Sequence, residues 1–153
     1  MAFRFRLERV LTVRRLEEDR ARQHHAEAQV ALQHATAARD DAQGRLRAGL
    51  VRLDELKHHD ELSEQALYLH ALHAAGLRRE IDTARGRVVV AEKEAERTAA
   101  ELLRAHQARE ALEKLREREE TTWRRDQAAR EAREIDEIAV LRSRSREEET
   151  HGP

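Results

Sequence analysis

Apolar residues recur along the first half of the chain at alternating steps of three and four. Eight of the eleven positions on this stripe are Ala or Leu, and the residues between them are mostly charged or polar. This spacing predicts a long helix with one coiled-coil face, which a lone helix cannot bury. The stripe comprises Ala21, His25, Ala28, Leu32, Ala35, Arg39, Ala42, Leu46, Gly49, Leu53 and Leu56.

A second stripe with the same spacing follows a short interruption, so the two helices are expected to fold back on each other as an antiparallel hairpin. Pairing positions whose numbers sum to 123 places large side chains opposite small ones, as with Ala42 and Ile81. The same register makes a polar layer of His25 and Thr98. The second stripe comprises Leu67, His70, Ala74, Leu77, Ile81, Ala84, Val88, Ala91, Ala95, Thr98 and Leu102.

The predicted fold class is therefore all-α, an antiparallel coiled-coil hairpin over residues 1–142. Ser63, followed by an acidic first turn, has the pattern of a helix N-cap, and Gly76 is expected to end a short apolar helix. The expected elements are helix 1 at 3–58, a turn at 59–63, the short helix at 64–75, helix 2 at 77–141 and a disordered tail at 143–153.

In this register Trp123 reaches the level of the N terminus, where it is expected to pack near Phe3 and Phe5. The rest of the second helix overhangs with no partner in the chain, so it either awaits a binding partner or frays. Apolar residues continue at helical spacing along this overhang, namely Ile135, Ile138 and Leu141.

Composition supports an extended helical protein over a globular one. Charged residues make up 40% of the chain and aromatic residues 3%, which leaves little material for a compact core. Because 30 Lys and Arg are interleaved with 31 Asp and Glu, no one-signed basic face for nucleic acid is expected. The sequence contains no cysteine, and neither a signal peptide nor a transmembrane helix is predicted.

The candidate chemistry is sparse. Nine histidines raise the question of a metal site, but adjacent pairs such as His58 and His59 point to different sides of a helix, and no convergent ligand set can be named. A two-helix protein also offers no enclosed cavity in which a catalytic acid or base could be tuned. We therefore expect no enzyme activity, no cofactor and no metal.

The remaining signal is protein interaction at the two ends of the hairpin. The turn end carries the apolar residues Tyr68, Leu69 and Leu72, more than a two-helix contact requires, and exposed apolar groups mark interaction sites. The alternative is that they pack locally over the turn. At the other end, aromatic and arginine side chains form what we call the terminal cluster, namely Phe3, Arg4, Phe5, Arg6, Arg14, Arg15, Trp123, Arg124 and Arg125.

The chain resembles the FliJ family of flagellar type III export proteins. The resemblance rests on Phe-Arg-Phe-Arg-Leu-Glu-Arg-Val-Leu at 3–11 with Arg14 and Arg15, and on the apolar segment at 67–72. It continues in Leu-Glu-Lys-Leu-Arg-Glu-Arg at 112–118 and in Glu-Ile-Asp-Glu-Ile-Ala at 134–139.

This resemblance implies a non-enzymatic cytoplasmic protein, peripheral to the inner-membrane export apparatus. Such a protein enters the ring of the export ATPase FliI as a central stalk, contacts the export gate protein FlhA, and is linked to the handling of export chaperones. By that analogy the terminal cluster faces the ATPase. The gate-binding residues implied, which we call the turn-side cluster, are Leu46, Leu50, Tyr68, Leu69 and Leu72.

Two alternatives remain open at this point. The first is the equivalent stalk protein of a virulence injectisome, which would use the same physical features. The second is a self-associating structural coiled coil with no ATPase partner, which the overhang and the apolar residues near the turn would also suit.

Overall fold

The computed structural model describes residues 2–59 and 63–150, with side chains described as far as residue 146. It contains two helices, α1 (Glu8–His58) and α2 (Glu64–Thr150), and no strand in the described part of the chain. The fold is the all-α antiparallel coiled-coil hairpin that the two stripes predict. The chain divides into two compact units: a terminal unit of Met1–Leu16 with Gln107–Pro153, and a turn unit of Glu17–His106.

Local chemistry explains where the helices meet the turn. Lys57 and His58 lie in the last turn of α1, where cations interact favourably with the helix dipole, and His58 Nδ1 donates to the Asp54 carbonyl oxygen at 2.8 Å. Ser63 precedes α2, and its Oγ accepts a hydrogen bond from the Ala66 backbone N–H at 3.1 Å. The predicted N-cap is therefore confirmed. Residues 60–62 of the expected turn lie outside the described residues.

The core of the turn unit follows the two predicted stripes. Every position of the first stripe and all of the second except Leu67 are buried or half-buried. The register is confirmed at the polar layer, where His25 Nδ1 lies 3.1 Å from Thr98 Oγ1. Leu46 and Leu77, also paired by that register, line one common cavity. Alanine is the most frequent residue among the buried positions of this unit, and small side chains allow two helices to pack closely.

The terminal unit is packed around Leu11 and Phe5, which are 0% and 7% exposed. Phe3 contacts Trp123, with ring centroids 6.1 Å apart and planes tilted by 51°, so the expected aromatic contact is confirmed for Phe3. A salt bridge of 3.1 Å joins Arg15 to Glu113 across the two helices.

The start of α1 differs from the prediction. The sequence pattern places a helix from residue 3, whereas α1 begins at Glu8 and residues 2–5 are not helical. A helix over this segment would set Phe3 and Phe5 on different faces. The non-helical backbone instead allows Phe5 to be buried while Phe3 contacts Trp123, and the Glu8 N–H donates to the Phe5 carbonyl oxygen at 3.2 Å.

The expected break at Gly76 is also absent, because α2 runs without interruption through the two predicted helices. Gly76 keeps an ordinary helical backbone, and its neighbour Leu77 is buried in the stripe facing α1. Burial of that stripe outweighs the cost of about 1 kcal/mol for a glycine in a helix interior.

The end of α2 also differs from the prediction. The helix continues to Thr150, past the expected end at residue 141 and into the tail that was predicted to be disordered. The last residues of that tail, 151–153, lie outside the described residues.

Neither α1 nor α2, over the part of the chain that the structure describes, contains an apolar stretch long enough to cross a membrane.

Candidate interaction surfaces

The terminal cluster is organised by its aromatic residues. Phe3 and Trp123 are each half-buried and in contact, so the N-terminal segment is held against α2 by one tilted ring pair. Phe5 belongs to the interior of the terminal unit and presents almost no surface to a partner. Its burial anchors the segment that carries Arg4 and Arg6.

The arginines of the terminal cluster fall into two groups. Arg15 is bound to Glu113, Arg124 is bound to Glu120 at 2.6 Å, and Arg14 also takes part in an interaction within the chain. The second group consists of exposed arginines that form no ion pair with any described residue, namely Arg4, Arg6 and Arg125. Only this second group offers uncompensated positive charge to a partner.

The turn-side cluster is divided between two faces of the turn unit. Leu46 and Leu50 line an apolar cavity of about 210 Å³ together with Ala71 and Ala74. Leu69 and Leu72 line a different groove, whose rim carries Arg45 and Glu80. Tyr68 is 67% exposed and lines neither. The five predicted residues therefore do not form one patch.

Hydrogen-bonded ion pairs account for the resolved electrostatic shifts. The hydrogen bond from Arg45 to Glu80, which joins the two helices, raises the pKa of the Arg45 guanidinium. On α2, the hydrogen bond from Arg97 lowers the pKa of the Glu94 carboxyl and raises the pKa of Arg97. All four side chains lie at the surface, so these pairs mark solvated helix faces and indicate no catalytic group.

The burial of the Glu18 carboxylate was not predicted from the sequence. Glu18 is 4% exposed and accepts a hydrogen bond from Arg22 at 3.0 Å, and the same Oε1 lies 3.1 Å from His106 Nδ1. The sequence does contain a pattern that predicts this burial, because Glu18 lies three residues before Ala21 and so extends the first stripe towards the N terminus.

Among the described residues, no group of three or more His, Asp or Glu side chains is arranged to hold a metal ion.

The fold is that of a helical-hairpin protein, and both of its units carry exposed arginine or apolar side chains. The chain belongs to the FliJ family, whose sequence model, described as Flagellar FliJ protein, matches residues 3–148. This finding confirms the resemblance seen in the sequence and makes the chain a protein of the flagellar type III export class.

The fold recurs in a solved structure. CT670 from Chlamydia trachomatis, described as a candidate YscO homolog, has a TM-score of 0.61 and 21% sequence identity to this chain. The alignment covers 96% of this chain and 99% of that one, so the likeness extends over the whole hairpin. No curated protein sequence matches this chain.

Proposed function

We propose that this chain is a non-enzymatic stalk of the flagellar export apparatus. In this proposal the terminal cluster binds the ring of the export ATPase FliI, and the turn-side cluster contacts the cytoplasmic domain of the export gate protein FlhA. The protein would then be cytoplasmic, and its association with the inner membrane would run through these partners.

The observation that carries the proposal is the group of exposed arginines beside the Phe3 and Trp123 contact. Arg4, Arg6 and Arg125 form no ion pair with described residues, so their charge is available to acidic loops of a ring. Attraction between exposed charges is individually weak and is screened by salt. Several such charges held beside one aromatic contact would favour the correct orientation of the stalk and its fast association with the ring.

Stimulation of the ATPase follows from linkage. If the stalk binds the assembled ring and has little affinity for separate subunits, it shifts the equilibrium towards the ring. Hydrolysis rises because more of the ATPase is in the assembled state. No group of the stalk needs to enter the ATPase active site for this effect.

The test is charge reversal at Arg4→Glu with Arg6→Glu, measured as stimulation of purified FliI at several salt concentrations. The matched control reverses two exposed arginines of the turn unit, Arg20→Glu with Arg47→Glu, so that the net charge changes equally. We expect the first variant to bind roughly tenfold more weakly at low salt, with the difference shrinking as salt rises, and the control to behave as wild type. Equal stimulation by both variants would contradict the proposed role of the terminal cluster.

The gate contact needs separate tests of the two faces. Leu69→Ala with Leu72→Ala removes apolar surface from one face, and Leu50→Ala removes it from the other; all three side chains are exposed, so the hairpin should remain folded. The measurement is calorimetric binding to the FlhA cytoplasmic domain, with FliI stimulation as the control for an intact protein. Loss in only one variant identifies the face that binds, and unchanged affinity in both would exclude the turn-side cluster as the gate contact.

A further inference from the structure

The seam between α1 and α2 contains a poorly filled layer near the turn. Gly49 belongs to the first stripe and is half-buried opposite Ala74, yet no heavy atom comes within 4 Å of where its Cβ would lie. A cavity of about 210 Å³ surrounds this layer, and its lining includes Leu46, Leu53 and Leu77. Such space gives up the dispersion contacts that dense packing normally provides.

The neighbouring layers show the same mismatch of side-chain size. In the described register, where paired numbers sum to 123, Leu53 lies opposite His70 and Leu56 lies opposite Leu67. Leu67 remains 42% exposed although it belongs to the second stripe. Small residues therefore meet in one layer and large residues in another, so this end of the seam fits its own register poorly.

A slip of one heptad removes the mismatch. When paired numbers sum to 130, Gly49 lies opposite Ile81, and the space beside it is filled by a large side chain. The leucines on either side of Gly49 then meet residues that suit them better than in the described register. These pairs are Leu46 with Ala84, Leu53 with Leu77, and Leu56 with Ala74.

The other half of the seam is well matched only in the described register. There His25 Nδ1 lies 3.1 Å from Thr98 Oγ1, and buried Glu18 lies 3.1 Å from His106 Nδ1. A slip of one heptad moves the members of each pair apart by about 10 Å along the helix axis. Because loss of a partner for a buried polar group is costly, these two layers oppose the slip. The turn opposes it too, since it would have to move by about half a heptad and give up the Ser63 cap.

Exposed ion pairs do little to decide between the two registers. Glu80 is bonded to Arg45 across the helices, and the slip would bring Arg52, seven residues further along α1, to the same place. Arg45 would keep its pair with Asp41 on its own helix, at 3.0 Å, but would come near Arg87. All five side chains lie at the surface, where such interactions are weak and screened by salt.

We propose that the turn unit has a second packed register, in which α1 has slid one heptad along α2. The half of the seam near the turn favours this second register, and the polar layers of Glu18 and His25 favour the described one. Because each helix is continuous, the two halves cannot adopt different registers at the same time. Movement of one packed element past another in discrete steps is a recognised way for a protein to switch between two states.

The slip would change the surface near the turn. Leu46 and Leu50 on α1 would move by about 10 Å relative to Leu69 and Leu72 on α2. A partner that contacts both helices there would bind the two registers with different affinity and would shift the equilibrium between them. The proposal itself concerns the isolated chain, so it is independent of any export partner and goes beyond the proposed function.

The test is intramolecular disulfide formation, which is clean because the chain has no cysteine of its own. Ala35→Cys with Val88→Cys reports the described register, and Ala35→Cys with Ala95→Cys reports the slipped one. In the described register Ala95 lies about 10 Å along the helix from the position opposite Ala35, which is beyond the reach of a disulfide. A third pair, Ala35→Cys with Ile81→Cys, corresponds to a slip in the opposite direction and reports fraying. Rates of cross-linking are measured at low protein concentration, so that links between molecules do not form.

Removal of the polar layers should populate the slipped register. In the variant Glu18→Leu with His25→Leu, we expect the 35–95 pair to cross-link roughly tenfold faster than in the wild-type background, because the rate follows the population of the competent state. The 35–81 pair should change much less. The matched control is His24→Leu with Glu27→Leu, at exposed positions outside the seam, which should leave all three rates as in wild type.

Filling the cavity should have the opposite effect. Gly49→Leu fits the open space in the described register but would collide with Ile81 in the slipped one, so the 35–95 rate should fall roughly tenfold in both backgrounds. Its control is Gly44→Leu, an equally open glycine on α1 outside the first stripe, which brings the same gain in helix propensity and should not alter the rate. Circular dichroism checks that each variant remains helical.

Two results would overturn the proposal. One is that the 35–95 pair cross-links no faster than the 35–81 pair once Glu18 and His25 are replaced. The other is that Gly49→Leu lowers the 35–95 rate no more than Gly44→Leu does. The second comparison can be made in the wild-type background, so it holds even if the variant without the polar layers does not fold.

Discussion

Replacement of Leu11 by alanine tests the packing of the terminal unit. Leu11 is 0% exposed and is the largest fully buried side chain among the described residues. The substitution removes three buried carbon groups, worth about 0.8 kcal/mol each, and leaves a cavity that adds to the loss. A unit formed by two helices and a short segment can partly collapse around such a cavity. We therefore expect a loss of about 3 kcal/mol, towards the lower end of leucine-to-alanine values.

The assay is urea unfolding followed by circular dichroism, with Trp123 fluorescence as a second probe inside the terminal unit. The matched control is Val13→Ala, two residues away on the same helix and 52% exposed, for which a change of no more than about 0.5 kcal/mol is expected. A lower midpoint with an unchanged slope would report lost stability alone. If Leu11→Ala and Val13→Ala shift the midpoint equally, the burial of Leu11 and the packing built on it are refuted.

Three further predictions concern the caps and contacts of the hairpin. Phe3→Ala should shift the emission of Trp123, the only tryptophan, to longer wavelength because its ring loses its neighbour; an unchanged spectrum would mean that the contact does not persist in solution. Ser63→Ala should cost about 1 kcal/mol in thermal unfolding while Ser63→Asp retains stability, since only the latter keeps a cap acceptor. His25→Leu with Thr98→Leu should unfold at or above the wild-type denaturant midpoint; a loss above about 1 kcal/mol would show that this layer stabilises the fold.

The turn unit could be predicted from the sequence because its packing is periodic. Steps of three and four fix which face of each helix is buried, and the alternation of large and small side chains then fixes the pairing. His25 and Thr98 are an example, since the pairing of positions whose numbers sum to 123 predicts this contact, and the two side chains lie 3.1 Å apart. The steps of three and four, continued to lower numbers, also include buried Glu18.

The N-terminal segment could not be predicted in the same way. Residues 2–5 are too few to show a period of their own, so the sequence pattern extends the helix that follows over them. The choice between them depends on where Phe5 and Phe3 find apolar neighbours, which is a property of the assembled terminal unit. At Gly76 the prediction gave too much weight to a local signal. Glycine disfavours a helix interior, but burial of the neighbouring Leu77 against α1 stabilises the continuous helix.

The candidate surfaces show a related limit. The sequence predicts a cluster of arginines. Which of these arginines already form ion pairs within the chain depends on the geometry of the two helices. Arg15 reaches Glu113 on the other helix, whereas Arg4 and Arg6 form no ion pair with any residue that the structure describes. A compositional cluster therefore overstates the charge that a partner would meet.

Apolar periodicity alone leaves the register of this hairpin weakly specified. A slip of one heptad still sets apolar residues or glycine opposite apolar residues at most positions of the seam, so its cost in buried apolar area is small. Such a slip would move buried Glu18 away from His106, its partner on the other helix. Loss of a partner for a buried polar group costs about 1 to 3 kcal/mol, and more when the group is charged. We infer that the apolar positions supply the stability of the turn unit, whereas Glu18 and the His25 layer select one register among several of similar packing.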